Sequence, residues 1–183
     1  MLVVVIITDE DDCSVSDPDI LRNEVDPFVA PEVVATDPPV PVNLRCIDLP
    51  DHLYNVNRYV DGLKALRPMD DDVIFVLVAG IPQHLVGPVP ADESKVDAFF
   101  ADILGDPNMQ QQATPTNDNL VQSCTPNDEP MASGAYPPRR LVEVARGFGK
   151  NAVLGSICNE GFGTETGLIM RAVAERLRKG ITQ

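Results

Sequence analysis

Basic residues are scarce in this chain: 14 Lys and Arg stand against 28 Asp and Glu, a formal net charge of −14. That imbalance argues against nucleic acid or an anionic membrane as partner and favours cations or basic surfaces. The four cysteines have no CxxC spacing, and His52 and His84 are the only histidines, which argues against a zinc site. The opening apolar run is too short to span a membrane, and it lacks the basic leader and cleavage site of a secretory signal. No complete phosphate-binding glycine fingerprint occurs. Gly161-Phe162-Gly163 follows the last apolar run rather than the first and is expected to be a turn. Tryptophan is absent and aromatic content is 5%, while prolines number 17. A modest core with long irregular connections is the expected result. At 183 residues and 44% hydrophobic content, one globular domain spanning 1–183 is expected.

The stretch that organises the rest is the first sixteen residues. Leu2-Val3-Val4-Val5-Ile6-Ile7 is a run without polar alternation, expected to be a strand buried on both faces. It empties into Thr8-Asp9-Glu10-Asp11-Asp12-Cys13-Ser14-Val15-Ser16. In open α/β sheets ligands bind at the carboxyl ends of strands, so acids placed there are candidates for a cation site. Four adjacent carboxylates also make an ordinary solvated loop, and the run alone leaves both readings open.

Residues 17–50 carry seven prolines, a density that argues against regular helix or central strand and for an extended surface excursion, with edge pairing around 40–44. From Asp51 the spacing of Leu53, Val56, Val60, Leu63 and Leu66 predicts an amphipathic helix ended by Pro68. After Asp70-Asp71-Asp72, the run from Val73 to Gly80 predicts a second buried strand, in a right-handed parallel crossover from the first. Asp92 is expected to cap a helix with Val96, Phe99, Phe100 and Ile103 on its buried face, closed by Gly105. Residues 106–138 form a long polar loop with Cys124 as its evident anchor and Asp118 and Asp128 solvated. Pro137-Pro138 begins a helix with Leu141, Val144 and Ala145 on its buried side, and a third strand follows over 152–158. A last helix is expected after Thr164, with Leu168, Ile169, Ala172, Val173 and Leu177 as its apolar stripe and basic residues at its carboxyl end. His84 and His52 are expected to be surface residues.

Cys13, Cys46, Cys124 and Cys158 all lie at predicted loops or strand ends, which favours disulfides and an oxidising compartment over buried thiols. Three pairings are possible. Cys13 with Cys46 would staple the proline-rich excursion beside the acidic loop; Cys124 with Cys158 would anchor the long loop to the third strand.

Three apolar strands alternating with helices, the first ending in Thr8-Asp9, resemble the second half of a von Willebrand factor A domain. The run Ile7-Thr8-Asp9-Glu10-Asp11-Asp12-Cys13-Ser14 is similar to a motif of A-type domains in secreted proteins or lipoproteins of myxobacteria and related bacteria. Arg58-Tyr59-Val60-Asp61, Ala79-Gly80 and Ser156-Ile157-Cys158 extend the likeness. The resemblance implies an α/β fold of three layers, a mostly parallel sheet with flanking helices, that lacks its amino-terminal strands in this chain. It also implies a metal-ion-dependent adhesion site in which Asp9 is the carried-over ligand, with Glu10 and Asp12 as further possibilities and Mg2+ or Ca2+ as the cation. Asp12-Cys13-Ser14-Val15-Ser16 also spells the Asp-x-Ser-x-Ser of such a site. Thr8 to Asp11 intervene between it and the strand, so the second-half reading takes this motif as coincidental and the other two metal loops as missing, with weak affinity as the consequence.

The function expected is therefore non-enzymatic adhesion or protein interaction, cation-assisted at the acidic loop, with a protein ligand. The compartment expected from the resemblance and the even cysteine count is extracellular, periplasmic or outer-surface. A magnesium-dependent phosphohydrolase using Asp9 and Asp12 is the alternative, and a structural domain with an inactive metal site is a third. The later strand ends offer Gly80-Ile81-Pro82 and Cys158-Asn159-Glu160, with Glu160 the one acid.

Overall fold

Seven consecutive apolar residues, Val73–Ala79, form strand β2, and every one of them is buried. Such a run needs neighbours on both edges and cover on both faces. β1 (Leu2–Ile7) pairs along one edge and β3 (Ala152–Ser156) along the other, both parallel to β2, giving the order β1-β2-β3. Leu2 lies opposite Val73 and Phe75 opposite Ala152. The computed structural model describes residues 1–21, 40–69, 72–116, 119–126 and 133–159, together with 167, 170, 171 and 173–175. The class is α/β with a small parallel sheet. Residues 22–39, the Gly161-Phe162-Gly163 turn, Asp118, Asp128, Glu160 and most of the expected last helix lie outside the described residues.

Alternation along the strands divides the core. Leu2, Val4 and Ile6 of β1, Phe75 and Leu77 of β2 and Leu154 of β3 face helices α2 (Asn57–Lys64), α3 (Glu93–Gly105) and α4 (Arg139–Gly147). Val60, Phe100, Ile103, Val142 and Ala145 complete that layer, and Phe148 stacks on Phe75 with ring centroids 4.9 Å apart. Helices α2 and α4 come close because Gly147 has no side chain: a Cβ there would sit 2.6 Å from Val60 Cγ2. On the opposite face Ile74, Val76 and Val78 pack with Val3, Val153, Ile157 and Val173.

β1 differs from the sequence expectation of a strand buried on both faces. Among the described residues it has one strand neighbour, β2, and Val5 and Ile7 on its second face are 47% and 55% exposed. An apolar run looks the same at a sheet's edge and at its centre, because composition carries no information about the number of neighbours.

α3 begins where expected. Asp92 Oδ1 accepts from the Ser94 backbone N–H at 3.1 Å and from Ser94 Oγ at 2.8 Å, satisfying a free amide of the first turn. α2 starts at Asn57 rather than near Asp51. Residues 52–54 instead use their backbone groups against residues 14–16: Ser16 N–H donates to His52 O at 2.8 Å, Tyr54 N–H donates to Ser14 O at 3.0 Å, and Leu53 forms an antiparallel bridge with Val15. Helical spacing of Leu53 with Val56 is overridden by that pairing.

The described chain divides into two compact units. The larger comprises Met1–Asp11, Val56–Gln110 and Gln122–Gln183 and contains the sheet. The smaller comprises Asp12–Asn55 and Gln111–Val121. Within the smaller unit the described residues of the proline-rich excursion, 17–21 and 40–50, include short helical turns. These are α1 (Arg45–Asp48) and 3-10 turns at Pro18–Leu21, Val42–Leu44 and Pro50–His52. Proline at the first position of such turns has no amide to waste. The edge pairing expected around 40–44 is replaced by one of these turns. Arg45 is 1% exposed; its Nε donates to Val40 O and its Nη1 to Ile20 O, each at 3.0 Å.

Two disulfides select one of the three possible pairings: Cys13–Cys46 within the smaller unit, Cα atoms 5.6 Å apart, and Cys124–Cys158 within the larger, 6.1 Å apart. The long loop after α3 has anchors besides Cys124. Met109 is fully buried, and Arg139 Nη1 donates to Leu104 O at 2.7 Å and Met109 O at 3.0 Å. Among the described residues no helix is long and apolar enough to cross a membrane.

The Cys124–Cys158 bridge closes a loop of sequence separation 34. Replacing both cysteines by serine is expected to lower unfolding free energy by about 3–4 kcal/mol through loop-closure entropy. Urea denaturation of the oxidised parent and the double variant, without reductant, measures it.

Candidate functional site

All three strands point their carboxyl ends the same way, so residues following β1, β2 and β3 share one end of the sheet. The parallel ladder continues one step past the strands. Thr8 N–H donates to Val78 O at 3.1 Å, and Ile157 N–H donates to Ala79 O at 2.9 Å. Thr8 Oγ1 then accepts from Glu10 N–H at 3.0 Å and donates to Glu10 O at 3.2 Å, which bends the chain directly after β1.

This end of the sheet is covered by the chain itself. A strap made of residues 122–124 and 134–136 lies across it, closed by the Cys124–Ala135 bridge. Ser123 is buried and its hydroxyl is shared between Gly80 O at 2.5 Å and Ala135 O at 3.0 Å. Tyr136 N–H donates to Asp9 O at 2.8 Å, tying the strap to the end of β1. Cys158, one residue beyond Ile157, is bonded to Cys124, and Gln83 Nε2 donates to Cys158 O at 2.8 Å. Gly80 permits the close approach: a Cβ there would meet the Tyr136 carbonyl oxygen, Ala135 Cβ at 2.8 Å and Ser123 Oγ at 2.9 Å. Main chain of the strap thus lies directly against the end of β2, in the region where open α/β sheets usually seat a ligand.

The four acids after β1 go to four different tasks. The Asp9 side chain is exposed and makes no hydrogen bond or ion pair with the described residues. Glu10 has its carboxyl pushed above the usual range by partial burial and then by the adjacent charges of Asp9 and Asp11. Asp11 reaches helix α4: Oδ2 accepts from Arg140 N–H at 3.0 Å and Oδ1 from Leu141 N–H at 3.1 Å. Pro138, at the N-cap of α4, supplies no side-chain cap, so Asp11 does that work from 129 residues away in sequence and places its charge at the positive end of the helix. Asp12, in the smaller unit, accepts from Ser14 N–H at 3.1 Å and from Ser14 Oγ at 2.6 Å, closing a local turn. Ser16 Oγ donates to His52 O at 2.9 Å. The Asp12-x-Ser14-x-Ser16 motif is thus engaged in turn formation and pairing within its own unit.

Among the described residues no group of three His, Cys, Asp or Glu side chains is gathered closely enough to hold a metal ion. A hard divalent cation takes six or more oxygen ligands. Asp9 and Glu10 offer exposed carboxylates, and Asp11 and Asp12 already accept hydrogen bonds. This donor set does not fit a complete Mg2+ or Ca2+ centre.

His52 Nδ1 lies 3.3 Å from Asp17 Oδ2, and the exposed His84 has Nε2 3.1 Å from Asp106 Oδ2. Burial acts to raise the Asp106 carboxyl, but the hydrogen bonds and charge of His84 and the Asn108 amide hold it below the usual range. Each histidine therefore lies within hydrogen-bond distance of a nearby carboxylate. A separate pocket of about 370 Å³ lies beside residues 147–151, which lead into the amino end of β3. Its rim carries Lys150 paired to Glu93 at 2.7 Å and Arg146 paired to Asp97 at 3.1 Å. Comparison with protein-family models, curated proteins and solved structures finds no match to this chain.

Sequence reasoning missed the Asp11 cap and the Ser123 strap. The first had a signal, since a helix opened by Pro137-Pro138 with no Ser, Thr, Asp or Asn before it needs a distant acceptor. Asp11→Ala is expected to destabilise the protein by about 1–2 kcal/mol, with Asp11→Asn losing less because it retains an acceptor. Chemical denaturation of both variants measures this.

A folded-state carboxyl held above its unfolded value favours the fold most when protonated, and that contribution is lost as pH rises through the raised pKa. Glu10→Gln is therefore expected to raise Tm at neutral pH, with the gain vanishing by about pH 3. Thermal unfolding of parent and variant across that range checks the sign.

Proposed function

We propose that this chain is a non-enzymatic protein-interaction domain, similar to the second half of a von Willebrand factor A domain with its three-layer α/β architecture, working outside the reducing cytoplasm. The observation that carries the reading is the strap over the carboxyl end of the sheet. Catalysis needs a cleft in which reacting groups converge and water is excluded. Here main chain of the strap lies against Gly80 at the end of β2, and the Asp9 side chain is exposed. A carboxylate so placed suits contact with a basic or cation-bearing protein surface.

Further support comes from the sheet. Strands in consecutive order, all parallel, with Thr8-Asp9 at the end of the first, are what the second half of an A-type domain would present. Two disulfides fit an extracellular, periplasmic or outer-surface location, where such bonds persist. A second reading, a structural domain with an inactive metal site, is favoured by the engagement of Asp11 and Asp12 in hydrogen bonds to their own chain.

Calorimetric titration with Mg2+ and Ca2+ tests the cation part. Weak heats that do not saturate below about millimolar concentration and diminish in Asp9→Ala are expected of a single carboxylate. Identical heats in Asp9→Ala would favour the structural reading, and tight stoichiometric binding lost in that variant would overturn the incomplete site. Incubation with p-nitrophenyl phosphate and Mg2+ tests the rest: no turnover above buffer is expected. Turnover abolished in both Asp9→Ala and Asp12→Ala would replace the interaction domain with a magnesium-dependent phosphohydrolase.

A further inference from the structure

The two disulfides differ in what can reach them. Cys13 is exposed and Cys46 half-buried, whereas Cys124 and Cys158 are 9% and 1% exposed. Thiol–disulfide exchange needs a thiolate to reach one of the two sulfurs, so access decides which bridge is reduced first. Cys13 offers that access, and the buried bridge does not.

The disulfides differ also in what depends on them. Cys13–Cys46 lies within the smaller unit and closes a loop of sequence separation 33. The described residues of that unit bury three apolar side chains, Ile20, Leu44 and Leu53. Hydrogen bonds add to these: Arg45 to Val40 O and Ile20 O, and the pairing of residues 14–16 with 52–54. Small units with few buried apolar groups depend on covalent staples. The larger unit packs Phe75, Leu77, Phe100, Ile103 and Val142 into a core of its own. The accessible bond is therefore also the one its unit most needs.

We propose that Cys13–Cys46 is a redox switch: its reduction by a dithiol loosens the smaller unit and leaves the sheet of the larger unit folded. A thiolate of the reductant attacks the exposed Cys13 Sγ; the Cys13–Cys46 bond breaks, and Cys46 leaves as a thiolate that takes a proton. The second thiol of the reductant then attacks the reductant's sulfur in the mixed disulfide and releases Cys13, which is protonated in turn. Two electrons pass to the chain, and the dithiol ends as a disulfide. No cysteine is free among the described residues, so those electrons come from outside the chain. The acids Asp9 to Asp12 directly before Cys13 repel anionic thiols, which favours an uncharged or basic dithiol. Once the bond is open, the loop regains the conformational freedom that the bridge removed. The pairing of 14–16 with 52–54, which starts at the residue after Cys13, gives way with it. The inference stands apart from the cation and partner reading of Asp9.

Limited reduction of the oxidised full chain with about 1 mM dithiothreitol at about pH 8, followed by alkylation with iodoacetamide and peptide mapping, gives the rate at each cysteine. Cys13 and Cys46 are expected to be modified at least about ten-fold faster than Cys124 and Cys158. Hydrogen exchange of the partly reduced chain, read by NMR, is expected to show protection lost at the Ser16 and Tyr54 amides and kept across Val73–Ala79. Cys13→Ser combined with Cys46→Ser is expected to show that pattern without reductant and no further loss when it is added. Equal reduction rates, or faster reduction of Cys124–Cys158, overturn the proposal at its chemistry. Protection unchanged at Ser16 and Tyr54 after reduction, or lost across Val73–Ala79 as well, overturns the switch.

Discussion

The end of the sheet can be closed because Gly80 has no side chain. Main chain of the strap lies where a Cβ would project, and from that approach follow the buried Ser123 hydrogen bond to Gly80 O, the Tyr136 bond to Asp9 O and the reach of Cys124 to Cys158. These are separate interactions, each worth little net in water. Together with the disulfide they hold residues 122–124 and 134–136 against the ends of β1, β2 and β3. The same closure leaves the acids after β1 at the margin of the sheet end instead of around a cavity.

Those acids show how residue type underdetermines role. Asp9, Glu10, Asp11 and Asp12 are adjacent and alike, yet one faces solvent, one has its pKa raised by partial burial and its neighbours' charge, one caps α4 and one closes a turn. What separates them is geometry supplied from elsewhere: the Thr8 turn that bends the chain, and the uncapped start of α4 to which Asp11 extends. A carboxylate that already accepts two amide hydrogens has little left to give a cation. Adjacency alone thus makes a poor metal site, since four side chains leaving one extended stretch do not converge.

Much of the sheet unit was legible because its signals are local. The apolar runs of β2 and β3, the Asp92 cap of α3 and the proline start of α4 all depend on neighbours within a few residues, and the structure has each of them. The cysteine pairing followed from placing each thiol beside a segment in need of an anchor. What was not legible is long-range. The edge position of β1 depends on there being no second strand neighbour among the described residues, the late start of α2 on bonds between residues 14–16 and 52–54, and the strap on a glycine whose neighbours come some forty and fifty-five residues later. Helical turns inside the proline-rich stretch were hidden for a different reason, since proline suits the first turn of a short helix as well as an extended segment.

The register of β1 bears on the order of events during synthesis. Leu2 pairs with Val73, so β1 leaves the ribosome and remains without its partner until β2 follows. At translation rates of roughly 5–20 residues per second, that interval lasts on the order of 4–14 seconds. Throughout it the nascent chain displays six contiguous apolar residues with no charge among them. The four acids that follow it at once place charge beside that run, the position that charged residues take in flanking unavoidable hydrophobic strands.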